Sequence, residues 1–175
     1  TLEWVKNNSQ STRVIYSGAG CAVADKTWDS PHAVEEIDTT SLHHDSPYSI
    51  SKIAGEMYCL NYFSLHNLDV VRVRFQNVYG PREILGAGEW RGTKNTIYRN
   101  VIPTFIWKAL NEESLDVFGG QNAGRDFVYV KDIAKGCLQA SRFGKSGEAY
   151  NIATETETNI SYLANLIIEL TNSSS

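Results

Sequence analysis

An α/β fold with a parallel sheet is predicted by three features of this sequence. Short apolar runs alternate with longer segments of helical periodicity. Some of those runs are apolar almost throughout, as in strands covered on both faces. No internal repeat or low-complexity linker interrupts the alternation.

Residues 1–8 read as the end of a helix carrying Leu2, Trp4 and Val5, and the polar run from Asn7 to Thr12 is its exit. Arg13-Val14-Ile15-Tyr16-Ser17 reads as a buried strand. Gly18-Ala19-Gly20 follows it. Val23 stands where a dinucleotide-binding turn needs its third glycine, and Asp25 to Pro31 has loop chemistry, so no phosphate-binding turn is assigned here. Gly86-Ala87-Gly88 has no strand leading into it and is set aside as well.

The next helix is predicted from Pro47 to about His66. Ser46 is a good N-cap, and Pro47 suits the first helical position, where a missing N–H costs nothing. Ile50, Ile53, Ala54, Met57, Leu60 and Phe63 recur with helical period. Val70 to Phe75 is a strand, and Gln76 to Arg82 is the loop at its carboxyl end, where ligands sit in open α/β sheets. A glycine-containing loop with Trp90 covers residues 83–96, and Asn100 to Leu110 is helical. Leu115 to Phe118 reads as a short strand closed by Gly119-Gly120. Then come a strand over Arg125 to Val130, a helix over Lys131 to Phe143, and a strand over Ala149 to Ala153. Asn159 caps a last helix bearing Ile160, Leu163, Ala164, Ile167 and Leu170.

With 42% hydrophobic and 21% charged residues among 175, the composition is that of a soluble globular protein with a real core. The net charge of −4 and the scattered basic residues argue against nucleic acid or an anionic membrane as partner. No apolar run approaches the ~18 residues that span a bilayer, and Thr1-Leu2-Glu3 does not open a signal peptide, so a cytoplasmic location is expected. Cys21, Cys59 and Cys137 are odd in number and far apart, which suggests reduced thiols and no disulfide framework or zinc site. His43-His44-Asp45 are adjacent and poorly placed to converge on one ion, so no metal is expected.

Tyr48 and Lys52 are four residues apart on the helix that starts at Pro47, so they project from one face. A free phenol has a pKa of about 10, and a cation within a few ångströms stabilises the phenolate and lowers that value. Tyr48 is therefore a candidate acid/base for a hydroxyl proton, with Lys52 tuning it.

Four ordered stretches resemble the extended short-chain dehydrogenase/reductase family, in particular its NAD-dependent nucleotide-sugar epimerases and dehydratases. They are Tyr48-x-x-x-Lys52, the run Arg74-Phe75-Gln76-Asn77-Val78-Tyr79-Gly80-Pro81-Arg82, Arg125-Asp126-Phe127-Val128-Tyr129-Val130-x-Asp132, and Tyr150-Asn151-Ile152-Ala153. The resemblance implies part of a Rossmann-type doubly wound parallel sheet plus part of a smaller substrate-binding region. Residues 1–80 would be the C-terminal half of the NAD-binding domain, and 81–175 mainly the substrate-binding region with returning sheet elements. The family's Gly-x-x-Gly-x-x-Gly turn for the NAD pyrophosphate is not in this sequence, so the N-terminal NAD-phosphate-binding half is expected to lie outside it. The stretch alone is expected to bind NAD poorly.

By the same resemblance, Tyr48 exchanges a proton with a sugar hydroxyl while hydride passes to C4 of the nicotinamide. Lys52 lowers the phenol pKa and bonds the nicotinamide ribose. Ser17, Phe75, Asn77 and Val78 would lie beside the cofactor. Asn77 and Asn100 would contact a nucleotide-diphosphate sugar, Phe118 would pack beside its nucleobase, and Arg125 would clamp its diphosphate with a guanidinium fork. Family members commonly dimerise through the tyrosine helix, which implies a homodimer through residues 1–6 and 50–66, with Leu2, Trp4, Val5, Met57, Tyr58, Tyr62 and Leu65 as candidates.

One departure bears on activity. The family usually places Ser or Thr two residues beyond Ser17, and this chain has Ala19. Either Ser17, a rearranged loop or another hydroxyl serves, or the proton relay is impaired. Gly20 and Cys21 replace the carboxylates that dehydratases and decarboxylases of the family carry nearby, which leaves epimerisation as the first reading. A catalytically impaired nucleotide-sugar or partner-binding homologue and a related dehydratase are the alternatives.

Overall fold

The computed structural model describes residues 1–20, 36, 46–83, 100–118 and 123–174. In chain order its elements are α1 (Leu2–Asn8), β1 (Val14–Ala19), α2 (Pro47–His66), β2 (Val70–Phe75), β3 (Asn77–Tyr79), α3 (Val101–Leu110), β4 (Gly124–Tyr129), α4 (Val130–Phe143), β5 (Ala149–Ile152), β6 (Glu157–Asn159) and α5 (Ile160–Thr171). They divide into two compact units. Thr1–Val78 with Val128–Ala153 form the first, and Tyr79–Phe127 with Thr154–Ser175 form the second.

The first unit is built on a parallel sheet of order β1-β2-β5. β2 is central, and its alternation sorts its side chains onto two faces. Val71 and Val73, with no exposed surface, pack with Ala140 of α4 and with Ile15, Phe75, Cys137, Tyr150 and Ile152. Val70 packs with Val5, Cys59 and Leu68, with Val14, Tyr16 and Tyr62 around them. Helices therefore cover both faces, which is why β2 can be a run of valines.

Local signals set the ends of α2. The Ser46 hydroxyl accepts the Ser49 N–H at 3.2 Å, and Pro47 opens the helix. Asn67 takes the left-handed conformation, φ 52°, and its N–H bonds the Phe63 carbonyl at 2.9 Å. The face that α2 buries differs from the apolar stripe read in the sequence. Ser49, Ile53, Glu56 and Cys59 are buried, whereas Ile50, Met57 and Leu60 are exposed. A glutamate can occupy the inner face because β2 supplies Arg72 and Arg74 to meet it.

In the second unit α3 packs on α5. Phe105 and Ala109 meet Ile160, Leu163, Ala164 and Ile167, and Ile102, Leu115 and Phe127 pack against this cluster. α5 starts where expected, with the Asn159 side chain accepting the Tyr162 N–H at 3.1 Å. A second sheet has the order β3-β4-β6, and its β4 and β6 are antiparallel with Arg125 opposite Thr158. Two short strands, β3 and β6, were not expected from the sequence. Conversely, Leu115–Phe118 forms no strand. Leu115 is held by the helical core, and Lys108 of α3 ties down the Ser114 carbonyl at 3.1 Å and Asp116 at 2.6 Å, so this segment follows the helix rather than a ladder.

Candidate functional site

In the first unit the site is assembled at the carboxyl ends of β1 and β2. Parallel pairing sets Ser17 opposite Val73, Gly18 opposite Arg74 and Ala19 opposite Phe75. α2 starts beside these ends. Lys52 reaches across to donate its Nζ to the Ser17 carbonyl at 3.0 Å, and the same nitrogen lies 5.7 Å from the centroid of the Tyr48 ring. Tyr48 is 56% exposed. The structure thus brings Ser17, Tyr48 and Lys52 together, with Ser17 contributing its backbone oxygen to the lysine.

An ammonium has three N–H donors. Among the described residues the Ser17 carbonyl accepts from the Lys52 nitrogen, beside an exposed phenol. Such a donor set suits the hydroxyls of a nicotinamide ribose.

Glu56, one turn after Lys52, was not singled out in the sequence, yet it locks α2 to β2. Arg74 donates Nε and Nη2 to its two carboxylate oxygens at 2.9 and 2.8 Å, and Arg72 adds Nη1 at 3.1 Å. The signal available was two arginines, two apart, in a strand that is otherwise apolar. Glycine at 18 is what lets the pair close, since a Cβ there would lie 2.6 Å from Glu56 Oε1. At Gly20 a Cβ would lie 2.1 Å from the Gln76 amide nitrogen, so the side chain following β2 lies against the backbone following β1.

Tyr16 points from β1 onto α2 and donates its hydroxyl to the Lys52 carbonyl at 2.9 Å. Burial pushes its pKa up, and the neighbouring Cys59, Glu56 and Tyr48 push it the same way. Burial also raises the Cys59 thiol to about 11, which makes it an inert core residue.

Phe75 packs its side chain among Val71, Val73 and Ala140 on the α4 face. Asn77 is exposed and Val78 partly so, both on β3. Ala19 is 5% exposed and packs with Ile53 of α2, so the position where the family carries a hydroxyl is here part of an apolar contact.

The second unit holds Asn100, Phe118 and Arg125, all exposed. Asn100 stands at the N-cap of α3 without capping it, and its amide instead donates to Glu83. Glu83 also lines a cleft of about 220 Å³ with Arg82, Ile102, Pro103, Ile106 and Trp107. Phe118 is 83% exposed, an unusual position for a phenyl ring. Arg125 folds Nη1 onto the Gly124 carbonyl at 2.7 Å. Beside it, the Asp126 carboxylate accepts the Thr154 N–H at 3.0 Å, the Thr154 hydroxyl at 2.6 Å and the Glu155 N–H at 3.0 Å. Sequence reading had not given Asp126 this work of clamping the 154–156 turn. His43, His44, Asp45, Cys21 and the two loops around Asp25 and Trp90 lie outside the described residues.

Among the described residues no helix is long and apolar enough to cross a membrane. The family described as "NAD dependent epimerase/dehydratase family" matches residues 1–153. The crystal structure of the Bordetella bronchiseptica enzyme WbmF in complex with NAD+ and UDP is similar at 46% identity and a TM-score of 0.82, covering 99% of this chain and 48% of that one. The structure of epimerase Mth375 from Methanothermobacter thermautotrophicus is similar at 34% identity and a TM-score of 0.83, with 99% and 48% covered. The human dTDP-D-glucose 4,6-dehydratase is 30% identical over 168 residues, 94% of this chain and 41% of that protein. The chain thus spans about half the length of the solved proteins it matches, and less than half of the human relative.

Proposed function

Because this chain belongs to the NAD dependent epimerase/dehydratase family, we propose that the intact protein epimerises a nucleotide-diphosphate sugar, with Tyr48 as the acid/base and Lys52 as the group that tunes it. The observation that carries this reading is the Lys52 ammonium held on the Ser17 carbonyl at 3.0 Å and 5.7 Å from the exposed Tyr48 ring. A positive charge so close favours the phenolate over the phenol. Phenolate can then take a hydroxyl proton from the sugar and give it back. NAD, when bound, supplies the acceptor and donor for the hydride that leaves the same sugar carbon. Hydride returned to the opposite face of that carbon, with the proton given back to its oxygen, would invert the centre, so neither an external oxidant nor a water molecule would be consumed.

On this reading the first unit is the cofactor half, and Ser17, Phe75, Asn77 and Val78 border the nicotinamide. Asn77, Asn100, Phe118 and Arg125 serve the sugar nucleotide. The exposed Phe118 ring offers a stacking surface for a base, and the Arg125 guanidinium suits a diphosphate. The UDP in the WbmF complex supports this ligand class. A cytoplasmic homodimer through residues 1–6 and 50–66 completes the proposal. The outward Trp4, Met57, Tyr58 and Leu65 support it, while Val5 is buried within the protomer and Tyr62 is bonded to Glu3.

The test is Tyr48→Phe in the intact protein. Interconversion of the sugar should fall by about 10²- to 10⁴-fold, the range of general acid–base catalysis, while NAD binding stays within a few-fold of the parent. A mutant that keeps most of its turnover removes Tyr48 from the mechanism.

One observation favours a second reading, a homologue that binds sugar nucleotides with little turnover. Ala19 is buried on Ile53 and supplies no hydroxyl to the reacting oxygen. Losing a hydrogen bond made in the transition state costs roughly 10²- to 10³-fold in rate. Incubation with NAD and UDP-, GDP- and CDP-sugars separates the two, since a new epimer formed at a useful rate excludes the binding-only reading.

A further inference from the structure

Lys52 is held from both ends by two consecutive residues of β1. The Tyr16 hydroxyl donates to the Lys52 carbonyl at 2.9 Å, and Lys52 Nζ donates back to the Ser17 carbonyl at 3.0 Å. The first contact needs a gap in the helix surface, and Gly55 provides it. A Cβ at 55 would lie 2.0 Å from the Tyr16 hydroxyl oxygen and 2.4 Å from ring carbon Cζ, so any side chain there displaces the phenol. The Tyr16 side chain also packs against the core cluster of Val5, Cys59, Leu68 and Val70, which anchors the phenol on the β1 side. Burial, with Cys59, Glu56 and Tyr48 around it, raises the pKa of this phenol and so favours its protonated, donating form.

Resting on the acid/base reading above, we propose that Tyr16, seated on Gly55, is a positioning residue that sets the height of the Tyr48–Lys52 turn against β1 and so holds the Lys52 ammonium beside the Tyr48 phenol. Two phenols thus have separate tasks. Tyr48 is open to solvent and exchanges the proton, and Tyr16 is half-buried and keeps its own. A displacement well under the length of a bond changes the separation between ammonium and phenolate, and small misplacements of catalytic groups are costly.

The experiment uses Tyr16→Phe and Gly55→Ala in the intact protein, the first removing only the hydroxyl and the second displacing it. Two readouts are taken on each. The ring Cζ of Tyr48, labelled with 13C and assigned by its loss in Tyr48→Phe, is titrated by NMR. The pH profile of kcat is measured with NAD and UDP-, GDP- or CDP-hexoses. In both variants the Tyr48 phenol should titrate at higher pH, the kcat limb should move with it, and kcat at pH 7 should fall about 2- to 10-fold with KM unchanged. A lowered melting temperature with the Tyr48 titration unmoved would overturn the proposal and leave Tyr16 a packing residue. The titration decides this whether or not turnover is found. Absence of turnover in the parent protein with a shifted titration would instead refute the epimerase reading and keep the positioning role.

Discussion

Arg74 and Glu56 form a bidentate pair that is almost entirely withdrawn from water, with Arg74 4% and Glu56 6% exposed and contacts of 2.9 and 2.8 Å. Arg72 closes the other side, and a further nitrogen of each arginine donates onward, Arg72 Nη2 to the Gly147 carbonyl and Arg74 Nη1 to the Glu36 carbonyl. Glu56 shares a helix face with Tyr48 and Lys52, so the pair fixes how that face meets β2. Glu56→Gln leaves two buried guanidiniums without a counter-charge and should cost about 3–5 kcal/mol in urea unfolding. A loss below about 1 kcal/mol would show that the pair contributes nothing beyond what a neutral amide supplies.

Acid should loosen α1 from α2 over a defined range. Glu3 bonds Tyr62, Lys6 and Asn7, and the Lys6 contact, followed by those from Tyr62 and Asn7, holds its carboxyl down from 4.5 to about 2. A depressed carboxylate stabilises the fold above its unfolded pKa, and the contribution is lost as pH falls from 4.5 through about 2. The Glu3 carboxyl carbon should therefore titrate near 2 by NMR, with the Trp4 indole signal moving alongside it. Because Glu3 is exposed, high salt should raise the midpoint. An ordinary midpoint in low salt would mean that the contacts do not persist in solution.

Asp126 offers a separate handle on the second unit. Its carboxylate closes the 154–156 turn through three donated hydrogen bonds, next to Arg125 on the same strand. Asp126→Ala should lower stability by about 1–3 kcal/mol by leaving those donors unpaired. It should also weaken sugar-nucleotide affinity more than NAD affinity, measured by calorimetry on the intact protein. Equal loss of both would detach Asp126 from the substrate side.

The outward face of α2 predicts assembly. Ile50, Met57, Tyr58 and Leu65 are exposed together with Trp4 of α1, more apolar surface than a helix usually leaves to water. Sedimentation of the intact protein at micromolar concentration should give a dimer, and Tyr58→Asp should shift it to monomer. A dimer indifferent to that charge lies elsewhere.

The ends of α2 were legible in the sequence because capping is local. Ser46, Pro47 and Asn67 act on backbone groups within one turn, so the helix runs from Pro47 to His66 as read. Strands without local signals were not legible. β6 is the polar triplet Glu157–Asn159 and exists only because β4 lies beside it, whereas Leu115–Phe118 has strand-forming residues and no ladder.

The site divides along the same line. By itself the sequence determined that Tyr48 and Lys52 share a helical face, since helical geometry makes residues four apart neighbours whatever surrounds them. Tertiary structure decided the rest. Parallel register put the Ser17 carbonyl within reach of Lys52, brought Glu56 between Arg72 and Arg74, and laid Tyr16 over Gly55. It also left Ile50, Met57 and Leu60 of the α2 stripe exposed, while arginines on β2 stabilise a buried glutamate on the inner face. Each of these contacts joins residues far apart in the chain, and no periodicity or spacing within a single segment encodes which distant partner a face will meet.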